Sequence, residues 1–135
     1  MADLNATTER ILGCAFKVST GLGPGFLEKL YENALVIELE RAGLRVVRQH
    51  PLAVWYDGIQ IGHFVVDLLV EEQVLLELKA VKALEDFHLA QALNYLRASC
   101  LPACLLLNFG APKLEIRRLH PSPSWPRPDA KESPA

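Results

Sequence analysis

Between Leu44 and Val81 the chain reads LRVVRQHPLAVWYDGIQIGHFVVDLLVEEQVLLELKAV, rich in Val, Ile and aromatic residues and broken only by turn signals. Branched and aromatic side chains suit a pleated, half-buried surface, so this stretch commits the middle of the chain to consecutive strands. Asp57-Gly58 tolerates the positive φ angles of a two-residue hairpin turn. Glu71-Glu72-Gln73 is a weaker turn signal. Three antiparallel strands are predicted, near residues 45–56, 59–70 and 73–80, with the first interrupted at Pro51.

Helical spacing flanks this block. Ile11, Ala15, Val18 and Leu22 recur at helical intervals over residues 4–22, and Asp3 and Asn5 are candidate N-caps. GLGPG, residues 21–25, stops that helix. Pro24 suits the start of the next one, where its missing N–H costs nothing. The second helix, FLEKLYENALVIELERAG, ends at Gly43, a natural C′ residue. LEDFHLAQALNYLRAS returns to helical spacing through Leu89, Ala92, Leu93 and Leu96. ACLLLNFG reads as a short apolar strand and KLEIRRL as an edge strand. The predicted order is ααβββαβ(β), a mixed α/β sheet flanked by helices.

One domain over residues 1–120 is expected, followed by a loose tail at 121–135, where five of the nine prolines fall. Removing the tail after His120 is expected to leave stability nearly unchanged. Trp125 is its one candidate for docking a partner. No apolar run is long enough to cross a bilayer, and MADLNATTER does not read as a secretory signal, so a cytoplasmic protein is expected. Cys14, Cys100 and Cys104 form neither a disulfide framework nor a zinc pattern and read as small buried hydrophobes. A net charge of −2 argues against tight non-specific DNA binding. It does not exclude an enzyme acting on nucleic acid, since bound cations reverse the sign of an acidic site.

VDLLVEEQVLLELKA, residues 66–80, is apolar yet carries Asp67, Glu77 and Lys79. With Glu71, Glu72 and Gln73 as a three-residue loop, Val70 pairs with Val74 and Asp67 stands opposite Glu77. Opposed residues share a sheet face, and Lys79 shares it too through the period of 2. A one-residue slip would send Asp67 to the other face. Two readings suit such a trio. One is a solvated strand face with Lys79 as counter-ion, the ordinary outcome on periodicity alone. The other is a divalent cation between hard carboxylate ligands, with the lysine stabilising charge on a phosphate.

GFLEKLY, residues 25–31, has the form Gly-x-x-Glu-x-x-Tyr, and QALNY, residues 91–95, the form Gln-x-x-x-Tyr. Together with VDLLV, LELKAV and LLLNFG, in this order and spacing, the chain resembles the GxxExxY family of the PD-(D/E)xK nuclease-like superfamily over roughly residues 5–119. The resemblance implies a PD-(D/E)xK nuclease-like core and Mg²⁺ or Mn²⁺ held by Asp67 and Glu77. It implies Lys79 as an aid to phosphodiester hydrolysis, Glu28 as the acid of the N-terminal helix, and Gln91 and Tyr95 in support of the site or on the nucleic acid. Tyr31 closes the first motif and, like Gln91 and Tyr95, is expected to touch substrate or support the site. The family often has His six positions before the motif glycine, where this chain has Ser19.

Other readings of these residues stay open. Glu28 suits an exposed amphipathic face, and Tyr31 and Tyr95 suit core aromatics with hydroxyls outward. Gln91 and Tyr95 suit an i, i+4 pair, and His88 a helix-start residue without contacts. Two functions are carried forward: a metal-dependent nuclease acting on DNA or RNA, and a non-catalytic nuclease-like module for a protein or nucleic-acid partner. Both the N-terminal motif helix and the later helix are expected beside the sheet face that bears Asp67, Glu77 and Lys79, with Glu28 as a further metal or water ligand.

Overall fold

A computed structural model describes residues 3–125. The elements are α1 (Leu4–Leu22), α2 (Glu28–Arg41), β1 (Val46–Tyr56), β2 (Ile59–Val70), β3 (Val74–Lys79), α3 (Asp86–Ser99), β4 (Ala103–Asn108) and β5 (Glu115–Leu119). The strands form one sheet in chain order. β1, β2 and β3 are antiparallel neighbours, β4 runs parallel to β3, and β5 is antiparallel to β4. The parallel step follows from α3, because a helical crossover returns the chain to the end it started from.

Helices cover both faces. α1 and α2 pack with Leu68, Val70, Val74, Leu76, Leu78, Leu105 and Leu107. α3 packs on the other side with Leu69, Leu75, Cys104 and Leu106. Burial on both faces explains why β3 and β4 read as unbroken apolar runs rather than alternating ones.

The ends of the elements show which local signals won. Asp3 caps α1, its Oδ2 accepting from Ala6 N at 3.3 Å; Asn5 lies inside the helix. α2 begins at Glu28, so Pro24 sits in the preceding loop rather than at the helix start. That loop is tied down from below: the Tyr31 hydroxyl donates to Gly23 O at 2.5 Å and accepts from Phe26 N at 3.1 Å. α2 does end at Gly43, whose φ of 79° lets Leu44 N reach Leu39 O at 3.0 Å, the outer bond of a Schellman motif. At α3, His88 is not contact-free: its Nδ1 accepts from Glu85 N at 2.9 Å, closing a reciprocal cap. Cys100, expected to be buried, is exposed at the C-cap of α3 in the left-handed region, while Cys14 and Cys104 are buried.

β1 is not interrupted at Pro51, which pairs with Val65. An edge strand can hold a proline because one side of it has no ladder to lose. The irregularities fall at Gln49, with φ 50°, and between Val54 and Trp55. Asp57 (φ 51°) and Gly58 (φ 75°) form the two-residue turn. Glu71 and Glu72 also take positive φ, and Gln73 N returns to Val70 O at 3.0 Å, fixing the three-residue loop on which the register depends.

Among the described residues no helix is long and apolar enough to cross a membrane. The segment after His120 does not leave the domain at once. Trp125 packs against the core cluster beside α3, and the Arg97 guanidinium lies 5.9 Å from its ring centroid. The rest of the expected loose tail, residues 126–135, lies outside the described residues. Loss of this packing and cation–π contact costs about 1 kcal/mol. Truncation after His120 or Trp125→Ala should therefore lower the melting temperature by a few degrees, contrary to the expectation from composition. Truncation after Trp125 should not. Equal melting of all three by calorimetry would show that the tryptophan adds nothing.

Candidate active site

The sheet changes character at Asp67. Ladder pairs between β2 and β3 run Val70↔Val74, Leu69↔Leu75 and Leu68↔Leu76. The next rung, where Asp67 faces Glu77, is made by side chains. Asp67 N donates to Glu77 Oε1 at 3.1 Å, and Leu78 N donates to Asp67 Oδ2 at 2.8 Å. The two carboxyls also hydrogen-bond each other. The β2–β3 ladder thus carries the register required by the three-residue loop as far as Leu68↔Leu76. Glu77 shares the α3 face with Leu75, whereas the alternation of β2 breaks at Asp67, between Leu68 on the α2 side and Val66 on the α3 side, and Asp67 feels Glu32 of α2 as well as Lys79.

Burial and mutual repulsion set their chemistry. Glu77 is 5 % exposed. Burial first, and then the Asp67 charge, push its pKa up to about 8. Asp67 is also raised, chiefly by burial, against the opposing bond from Leu78 N. Burial and repulsion therefore favour a proton on the pair, which titrates as a unit.

Lys79 leans over this pair. Its Nζ lies 3.6 Å from Glu77 Oε2 and donates to Gln91 Oε1 at 3.1 Å. Gln91 is one helical turn from Tyr95 on α3. The Tyr95 pKa is raised by burial and then by Glu77 and Asp67, so its hydroxyl feels both acids. The tilted contact of its ring with Phe64, centroids 4.8 Å apart, holds it there.

The first motif divides differently. α2 packs on the opposite face of the sheet from α3, not beside it as the sequence suggested. Glu28 nevertheless belongs to the same electrostatic neighbourhood: partial burial and then Asp67 raise its pKa, while Lys79 lowers it. Tyr31 is fully buried and stacked on Phe109 at 5.0 Å. Its hydroxyl is used in the loop before α2 rather than at the acids, so it fixes where Glu28 starts.

One participant has no counterpart in the sequence reading. Glu32, 4 % exposed, lies one turn beyond Glu28. Its Oε2 accepts from Lys29 Nζ at 3.0 Å and from Arg48 Nε and Nη2 at 3.2 and 2.9 Å; its Oε1 accepts from Gln49 Nε2 at 3.0 Å. Burial opposes its ionisation, but these donors outweigh it and the pKa is lowered. Gln49 is the left-handed residue of β1, and the β1–β2 register, Arg48↔Leu68 and His50↔Val66, places it across from Asp67. A non-glycine residue in that region is strained and needs surroundings that hold it. The Glu32 knot supplies them. The only available signal was a second acid at i+4 from Glu28, which an exposed helix face would explain equally well.

A divalent cation is a fair fit to the donor set. Mg²⁺ takes one or two carboxylates and keeps several waters, and Asp67 and Glu77 provide two close carboxyls. Among the described residues no group of three or more His, Cys, Asp or Glu is disposed around one point for a metal ion, so Glu28 is not gathered with the pair into a ready cage.

The raised Glu77 makes the metal-free protein pH-sensitive. The folded state keeps its proton up to about pH 8, whereas the unfolded chain loses it near the ordinary carboxylate value. Stability from this group is full in acid and is lost as pH rises through that window, by on the order of a few kcal/mol. Glu77→Gln keeps the acceptor for Asp67 N but removes the titration. Its melting temperature should decline less than that of wild type between mildly acidic and mildly alkaline buffer. Parallel profiles would show that Glu77 is ionised throughout.

A comparison with curated proteins found no match, and neither did one with solved structures. A family model described as the PD-(D/E)XK nuclease superfamily matches residues 5–119. That span takes in the acid pair, the lysine and the helices on either side of the mixed sheet, and by it the chain belongs to the PD-(D/E)XK nuclease superfamily.

Proposed function

We propose that the protein is a Mg²⁺- or Mn²⁺-dependent nuclease of GxxExxY type that hydrolyses phosphodiester bonds in DNA or RNA. The observation that carries this reading is the placement of Lys79 Nζ between Glu77 Oε2 and Gln91 Oε1, beside the hydrogen-bonded Asp67–Glu77 pair. In this reading Asp67 and Glu77 hold the cation and Glu28 acts through water. When bound, the cation supplies Lewis acidity and neutralises charge on the phosphate. Lys79 donates to a phosphate oxygen on which charge develops. Gln91 orients Lys79, and Tyr95 closes the apolar side of the site. A cytoplasmic setting belongs to the same proposal.

The test uses purified protein and labelled DNA and RNA with either cation. Cleavage should require the cation and vanish in Glu77→Ala. Calorimetric titration of Mn²⁺ should give heat with wild type and little with Asp67→Ala. Equal binding by both would remove the metal site. The net charge of −2 favours a second reading, a nuclease-like module that binds a partner without cutting. Cleavage that persists in Glu77→Ala, or no cleavage with any substrate, would select it.

A further inference from the structure

Among the described residues eleven large apolar side chains stand exposed, and two of them are phenylalanines next to the residues of the site. Phe26, 45 % exposed, lies two residues before Glu28 in the loop that opens α2. Phe87, 63 % exposed, lies in the first turn of α3, four residues before Gln91 and on the same helix face. Neither ring hangs loose. Phe26 is edge-on to the buried Tyr31 ring, centroids 6.1 Å apart at 83°. Phe87 rests against the imidazole of His88, itself buried and fixed in the α3 cap, with centroids 4.0 Å apart. Each is braced by an ordered aromatic on one side and open to solvent on the other.

Two of the cations beside the site are already engaged by an acid. Lys29 and Arg48, exposed cations on α2 and β1, are both bonded to the buried Glu32. The chain as a whole carries −2. Duplex binding draws its affinity from cations along two phosphate backbones and leaves the base faces covered. An unpaired strand offers one backbone and open base faces, and stacking on aromatic side chains then carries affinity with little sequence preference.

We infer that Phe26 and Phe87 are stacking platforms on either side of the site, and that its substrate is a single strand whose unpaired bases lie on them. The inference rests on the nuclease reading above and names the substrate class for it. The bases seat against Phe26 and Phe87, and the phosphate between them is presented to Lys79 and the acid pair. Neither ring touches the reacting phosphate, so both act on substrate affinity rather than on the chemical step.

The experiment measures steady-state cleavage of a labelled single-stranded DNA oligonucleotide, and of the same sequence as a duplex, by the full chain with Mn²⁺. Wild type should cut the single strand in preference. Phe26→Ala and Phe87→Ala should each raise KM for it roughly ten-fold or more with kcat little changed. Phe87→Tyr and Phe26→Tyr should restore KM, because the ring face is what matters, and should melt like wild type, whereas each alanine variant loses one ring contact and should melt a few degrees lower while staying folded. Preferential cutting of the duplex, or unchanged KM in both alanine variants, would overturn the inference. If that cleavage still disappears in Glu77→Ala, the nuclease reading survives and the two rings are surface for a protein partner. If no nucleic acid is cut, or Glu77→Ala cuts as well as wild type, the nuclease reading itself falls and takes the inference with it.

Discussion

Lys79→Ala is expected to lower the cleavage rate by about two orders of magnitude or more, the scale of losing a preorganised electrostatic stabiliser, while still binding Mn²⁺. Both halves follow from geometry. Nζ is held by Gln91 Oε1 at 3.1 Å and reaches Glu77 Oε2 only at 3.6 Å, so the ammonium is directed but not fully neutralised. A protonated amine cannot ligate a cation, so its removal deletes no ligand. It does have an indirect cost: Lys79 lowers the pKa of both carboxyls, and without it Glu77 holds its proton to still higher pH. A cation must then displace a tighter proton, so metal affinities should be compared above pH 8 and rates at saturating metal. Gln91→Ala should give a milder loss of rate, since it frees the amine without removing it. Wild-type rates for Lys79→Ala would reduce the lysine to a counter-ion on a strand face.

Gly110→Ala is expected to destabilise the protein by about 3 kcal/mol or more, seen as a melting temperature lower by roughly 10 °C. A Cβ at Gly110 would lie 2.4 Å from both Val81 N and Val81 O and 2.6 Å from Ala80 C. These are backbone atoms, which cannot swing aside as a side chain can. They are also pinned from within. The buried Asn108 accepts from Val81 N and from Gly110 N, each at 3.0 Å, and its amide donates to Glu115 Oε1 at 2.7 Å. Glu115 Oε1 takes Leu84 N as well, at 3.0 Å. The chain leaving Lys79 toward α3 is thus fastened to the ends of β4 and β5. If the alanine is accommodated, the loop must shift, and with it Lys79 at one end and α3, which carries Gln91, at the other. The variant should therefore lose activity even where it remains folded. Wild-type melting would show that the contact relaxes freely.

Much of this was legible before any coordinates, for reasons that differ by residue. Asp67 opposite Glu77 followed from one loop length and the period of a strand, both strictly local. Gly43 and Asp57-Gly58 were legible because positive φ leaves a chemical signature. Glu71 and Glu72 adopt it without one, held in place by bonds such as Arg45 N to Glu71 Oε2 at 2.7 Å. The side of the sheet taken by α2 was not legible, because helical spacing shows which face is buried but not which face of the sheet it covers. Glu32 was invisible for a related reason: apart from Lys29, its donors come from a strand sixteen and seventeen residues away, and burial of an acid cannot be read from its own neighbours. Trp125 was assigned by the composition of its segment, whereas its position is decided by one ring finding Arg97.

The rung at Asp67 and Glu77 is built from carboxyls where its neighbours are built from peptide groups. Peptide rungs are indifferent to solution conditions, but this one responds to protons and to any cation that claims the same oxygens. The Asp67 and Leu78 amides therefore serve as gauges of the site, their solvent exchange set by what the acids hold and not by the sheet alone. Beyond this rung β2 continues for eight more residues, Ile59 to Val66, as half of a hairpin with β1. Whatever occupies the pair acts first on these two hydrogen bonds, at the point where the hairpin leaves the β2–β3 ladder.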